Sequence, residues 1–275
     1  MADVLPSFRE PPVTEVVVGV AIKPIEELTV PRIGQLWSER FAAAFPRAEE
    51  HPPYEPPMER FDDGAPSISL GLQLGGAFPR PRVWFLNDAG DELIQVQRNY
   101  FACNWRKVHP DTQYGRWESR RSAFQEWFGN LEGFVEEHGL GTVVATQCEV
   151  TYVNHIVPGP QWHEHADAPA IFRIFGAPSA DEKFPGTLEQ AQVATQFRLV
   201  RDGEPFGRLH VTVQPAFRRT DNQPIYIMEL TARGRPLGEG ADGMYAFFEE
   251  GRRSIVTGFA ACTTPRMHEV WGRYA

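Results

Sequence analysis

From Val13 to Lys23 the chain is dominated by Val, Ile and Ala, and this β-branched apolar run predicts a buried strand. Beyond Pro24 the spacing becomes helical. Ile33, Leu36, Trp37, Phe41, Ala44 and Phe45 recur at three- and four-residue steps, predicting a helix from Thr29 to Phe45 with Thr29 as N-cap, a proline in its first turn and Pro46 as its stop. Prolines at 52, 53, 56, 57 and 66 then predict an extended surface loop between His51 and Pro66. Four strand-like runs follow: Ser67 to Leu74, Arg82 to Asn87, Glu92 to Gln97 and Tyr100 to Lys107. The Asp88 to Asp91 stretch supplies hairpin chemistry between the second and third. Trp117, Phe124, Trp127, Phe128, Leu131, Phe134 and Val135 mark the longest amphipathic helix, Tyr114 to His138, stopped by Gly139 and Gly141. A strand from Thr142 to Ile156 completes a β-α-β-β-β-β-α-β half.

An irregular stretch from Val157 to about Glu189, with an apolar island at Ile171 to Phe175, separates this half from the next. Strands at Val193 to Arg201, Gly207 to Gln214 and Ile225 to Ala232 read as an antiparallel meander turning at Asp202-Gly203 and Asp221-Asn222. A helix from Asp242 to Ala261 follows, then a helical turn from Thr264-Pro265 to Trp271. The expectation is an α+β protein with two antiparallel β-sheets, each backed by amphipathic helices. The first domain is expected at 1–158, with the helices Thr29 to Phe45 and Tyr114 to His138, and the second at 159–275, with the helix from Asp242.

Composition narrows the function classes. A chain of 275 residues with 42% hydrophobic and 23% charged positions is globular and long enough to bury a large core. Its 36 acidic and 27 basic residues give a net charge of −9, which argues against nucleic acid and anionic membranes as partners. Cys103, Cys148 and Cys262 are isolated in apolar runs, so reduced thiols and a cytoplasmic location are expected. No apolar stretch reaches bilayer-spanning length, and the first residues lack the pattern of a secretion signal.

The sharp catalytic signatures are missing from the sequence: no phosphate-binding or dinucleotide glycine loop, no nucleophile elbow, no zinc spacing. Three weaker constellations remain. His163 and His165 would share one side of an extended segment and, with Asp167, could ligate a metal, although a solvated loop is the commoner reason for such histidines. On a strand, Asn104 would share a face with Tyr100, Ala102 and Arg106, opposite Phe101, Cys103 and Trp105. Asn154, beside Tyr152 in Val150 to Ile156, is a mid-strand amide that needs partners. If their polar faces coincide, Asn104, Arg106 and Asn154 form a convergent binding patch for an anionic or amide-bearing ligand; the alternative is an internal network.

Pro11-Pro12-Val13-Thr14-Glu15-Val16, Leu93 to Gln97 leading into Asn104-Trp105-Arg106-Lys107, Val150 to Ile156, and Trp271-Gly272-Arg273 together resemble, in order and spacing, a sporadically distributed prokaryotic family of similar length. That resemblance carries no catalytic residue or cofactor. Sporadic distribution implies a mobile accessory role such as phage defence or toxin neutralisation. The expected function is therefore a non-catalytic binding or regulatory protein with no cofactor and no bound metal. It would act on a protein partner encoded nearby, as an accessory or neutralising component of a bacterial defence or toxin system. The alternative is a metal-dependent hydrolase using His163 and His165.

Overall fold

The first apolar run forms β1 (Val13–Ile22), which pairs on both edges, antiparallel to β5 (Tyr100–Arg106) and to β6 (Ala145–Ile156). The computed structural model describes residues 4–61, 80–175 and 186–275. From β1 one sheet grows in both directions. On the β5 side lie β4 (Glu92–Gln97), β3 (Arg82–Leu86) and β2 (Arg47–His51); on the β6 side lie β9 (Pro224–Gly234), β8 (Glu204–Phe217) and β7 (Val193–Arg201). Among the described residues the result is a single nine-stranded antiparallel sheet ordered β2-β3-β4-β5-β1-β6-β9-β8-β7. The expectation of two sheets is corrected on this point. Antiparallel α+β character holds, but β6 joins the two groups by hydrogen-bonding β1 along one edge and β9 along the other.

The order on either side of the β1–β6 pair is matched. In each group a first strand is followed by a meander whose last strand returns beside it, and then by a long helix. These helices are α2 (Arg116–Glu137) and α4 (Gly240–Cys262), and they lie on the same face. Phe124 of α2 meets Phe248 of α4 edge to face at 4.9 Å, and Phe101 of β5 packs beneath Phe124 and Phe128. The same layer includes α1 (Val30–Leu36), which runs into a single π turn over Trp37–Phe41 and sets Phe41 against Phe85 and Trp127. Pro31 opens α1 as expected, although the Thr29 side chain makes no capping bond. Each fully buried aromatic in this layer is worth about 3–5 kcal/mol if truncated to alanine. Two short helices, α3 (Ala168–Ile171) and α5 (Pro265–Val270), close the end near the chain's C-terminal turn.

Most strand boundaries follow the sequence pattern. The turn from β7 to β8 places Asp202 at φ 53° and Gly203 at φ 85°, the left-handed pair that a tight hairpin demands. The edge strand β2, Arg-Ala-Glu-Glu-His, has no apolar alternation to announce it. The strand expected at Ser67 to Leu74 lies outside the described residues. Among the described residues, no helix is long and apolar enough to cross a membrane.

Candidate functional site, the strap-covered face of the sheet

Strand alternation sends Val16, Val18 and Val20 of β1 into the helix layer and leaves Glu15, Val17, Gly19 and Ala21 on the opposite face. Polar residues of four strands meet there. Arg82 Nη1 donates to Gln95 Oε1 (2.8 Å), Gln95 Nε2 donates to Asn104 Oδ1 (2.7 Å), and Asn104 Nδ2 donates to Glu15 Oε1 (2.7 Å). Asn104 is thus 7% exposed with both ends of its amide engaged inside the sheet. Arg106, on the same face, donates from Nε to the Gly90 carbonyl (2.8 Å) in the β3–β4 turn.

Asn154 does not join them. Val17 pairs with Asn104 on one side and with Thr151 on the other, so Thr151 shares the row of Asn104 while Asn154 falls on the helix side. It stands there with Tyr152, as alternation predicts, and its Nδ2 donates to Met228 O (3.1 Å). The expected convergence of Asn104, Arg106 and Asn154 therefore fails because strand register sets the two asparagines on opposite faces.

The face carries a second polar cluster on β6, β9, β8 and β7. Arg198, Arg208 and Arg233 stand in one cross-strand row, with Glu149 at its inner end. Like charges placed directly opposite one another repel, and a row of three arginines requires anions nearby. Glu149 Oε2 accepts from Arg233 Nε at 2.6 Å. The remaining anion comes from far away in sequence, from the strap His51–Phe61.

This strap leaves β2 and crosses the strands. Pro52, Pro53, Pro56 and Pro57 lack backbone N–H groups, which bars the segment from a central strand position and favours extended backbone. Two glutamines hold its main chain. Gln97 of β4 accepts from Tyr54 N at Oε1 (2.8 Å) and donates from Nε2 to Tyr54 O (2.9 Å). Gln147 of β6 accepts from Glu59 N (2.7 Å) and donates to Pro57 O (2.6 Å). Both glutamines are buried beneath the strap, and Gln97 Nε2 also donates to Asn99 Oδ1 (2.5 Å).

Side chains anchor the two ends. The Tyr54 ring meets Tyr100 edge to face at 4.8 Å, with the Arg82 guanidinium 5.4 Å from its centroid. Tyr100 can lie there because Gly19 has no side chain: a Cβ at that position would stand 2.7 Å from the Tyr100 hydroxyl oxygen. Burial pushes the Tyr54 phenol up to about 12, with the Glu149 charge adding to it. At the far end the Glu59 side chain, 7% exposed, bonds to Arg208 and to His210 Nε2 (2.6 Å) and lies 3.7 Å from Arg233. Burial raises the Glu59 carboxyl, but His210 and Arg208 together outweigh that penalty and hold it below the usual carboxylate range. The Phe61 ring receives the guanidinium groups of Arg208 and Arg235 at 4.8 and 5.4 Å.

The His163–His165 loop is built otherwise. His165–Asp167 is a 3₁₀ turn, His163 is exposed, and the buried His165 has Nε2 3.1 Å from both the Ala216 and Ile225 carbonyl oxygens. Asp167 accepts from the backbone N–H groups of His163 and Glu164, and those bonds lower its carboxyl below the usual range. Among the described residues, no group of three or more His, Cys, Asp and Glu side chains could hold a metal ion.

Sequence reasoning passed over Gln97, Gln147, Glu59, Arg208, His210 and Arg233. Arg208 and His210 share a face by simple alternation, but their pairing with β9 and with a distant acid is encoded only in the sheet order. Comparisons of the chain with protein-family models, with curated proteins and with solved structures find no significant match.

Proposed function

We propose that the chain is a non-catalytic binding or regulatory protein whose recognition surface is the sheet face opposite α2 and α4, and that the His51–Phe61 strap occupies it as an internal ligand. The observation that carries this reading is the pair of glutamine clasps: Gln97 and Gln147 each engage an N–H and a C=O of the strap. A surface that grips main chain through side-chain amides and supplies a cationic basket for one acid is suited to an extended segment of a protein partner. The partner segment would carry a carboxylate in place of Glu59 and an aromatic ring in place of Tyr54. Membership of the sporadically distributed prokaryotic family, a cytoplasmic location, and a role as accessory or neutralising component of a defence or toxin system belong to the same proposal; these rest on the sequence and its resemblance alone.

The test uses a fluorescent peptide of residues His51–Phe61. It is titrated against the intact protein and against a variant in which residues 52–60 are replaced by a Gly/Ser linker of equal length. A tethered strap competes at an effective concentration of about millimolar. The linker variant should therefore bind the peptide at least tenfold more tightly than the intact protein, and a peptide carrying Glu59→Gln should bind less well. Equal or absent binding by a linker variant that keeps its circular dichroism spectrum would overturn the proposal.

A further inference from the structure

On the other side of the sheet a cavity of about 280 Å³ opens between the N-terminal arm, the start of α2, and α4. Phe8, Val13, Leu230, Ile255 and Phe259, all buried, give it an apolar floor. Its polar wall includes Tyr114, Arg116, Tyr152, Asn154 and Arg252, and Arg116 donates from Nη1 to the Phe8 carbonyl (3.0 Å). Asn154 is 2% exposed; its Nδ2 is used on Met228 O, and among the described residues its Oδ1 accepts no hydrogen bond. Tyr114 and Tyr152 share one hydrogen bond of 2.9 Å, so one of their two hydroxyl protons has no acceptor there. Arg252, half-buried, lies over the Trp117 ring at 5.9 Å and beside the Tyr152 hydroxyl, and has no carboxylate partner among the described residues.

Buried polar groups are ordinarily paired, so the spare Asn154 Oδ1, the spare tyrosine proton and an arginine without a carboxylate around one cavity specify the complement of a ligand. A planar cation and a hydroxyl donor call for a carboxylate, which a guanidinium grips through parallel N–H bonds. The apolar floor calls for a hydrocarbon body. A cavity of about 150 Å³ already takes one benzene ring, and this one is larger. Glu118, the acid on the wall, is exposed. From this geometry we infer that the cavity binds a small organic carboxylate with an apolar body, its charge on Arg252 and the tyrosine pair and its body against Phe8 and Phe259. The site is separate from the strap face, so its occupancy can be measured whether or not the strap proposal holds.

The probe is 3-phenylpropionate, compared with its neutral amide by ligand-observed NMR and calorimetry on the full chain. The carboxylate should bind with a dissociation constant near or below about 1 mM, and the amide at least tenfold more weakly. Arg252→Gln should lose at least tenfold in affinity for the carboxylate. Val256→Phe, which fills the cavity from α4, should abolish binding without lowering the melting temperature, and serves as the test if Arg252→Gln does not fold. No saturable binding up to about 10 mM, equal binding of acid and amide, or unchanged binding in Val256→Phe would each overturn the inference.

Discussion

Glu59 Oε1 lies 2.6 Å from Nε2 of His210, 151 residues further along the chain. That contact ties the end of a strap that leaves edge strand β2 to β8, seven positions across the sheet. A basket of Arg208, His210 and Arg233 without this acid would be a cationic patch on an otherwise acidic protein. The strap is therefore as much a part of the sheet's charge balance as it is a cover.

Acid should loosen the strap. The Glu59 carboxyl is held below its ordinary value when docked, so its contribution is complete above the usual glutamate range of about 4.3 and is lost as pH falls through the docked value. Urea midpoints measured at pH 7 and pH 4 should fall further for the native protein than for Glu59→Gln. At pH 7 the Gln variant should already be weaker, since removing one member of a buried charge cluster costs about 3–5 kcal/mol.

Each glutamine clasp should hold one part of the strap. Gln97→Ala or Gln147→Ala removes two hydrogen bonds to the strap, and Gln97→Ala also one to Asn99, each worth a net of about 0.5–1.5 kcal/mol. Tryptic cleavage after the exposed Arg60 should accelerate about tenfold in either variant. An unchanged rate in both would mean that the clasps do not hold the strap.

Asn104 should behave as a structural residue. Its amide bridges Gln95 and Glu15 inside the sheet, so Asn104→Ala orphans both partners and should cost about 1–3 kcal/mol. The melting temperature should drop by several degrees while tryptic cleavage of the strap stays near the native rate. Accelerated cleavage with an unchanged melting temperature would assign Asn104 to strap binding instead.

The three cysteines are free, and burial raises the thiols of Cys103, Cys148 and Cys262. Thiolate is the reactive form, so modification by a disulfide reagent at pH 8 should be slow in the native protein. In denaturant all three should react. Fast native labelling would contradict the burial.

What the sequence makes legible is what depends on neighbours a few residues apart. Trp117, Phe124 and Phe128 announce α2 because helical spacing is local, and Asp202-Gly203 announces a hairpin because left-handed backbone favours those residues. Alternation likewise pairs Asn104 with Arg106 and Asn154 with Tyr152. It does not say whether the two pairs share a face, which depends on Val17 standing opposite both Asn104 and Thr151. The one-sheet architecture is hidden for the same reason: β6 looks like any strand until its partners on both edges are known. Glu59 reads as one more acid in a proline-rich loop, and only the row Arg198, Arg208, Arg233, assembled from two strand ladders, gives it a purpose.

As proposed, the strap is a replaceable ligand of the sheet face and not a fixed part of the core. Amide hydrogen exchange followed by NMR at Tyr54 and Glu59 tests it most directly, because their N–H groups are the ones donated to Gln97 and Gln147. Both amides should be protected, yet should exchange at least about a hundredfold faster than Val18 and Val150 in the central strands, through an opening that leaves the sheet intact. Exchange of Tyr54 and Glu59 at the rate of those central amides would mean that the strap leaves only when the whole protein unfolds, and that it is a fixed part of the core.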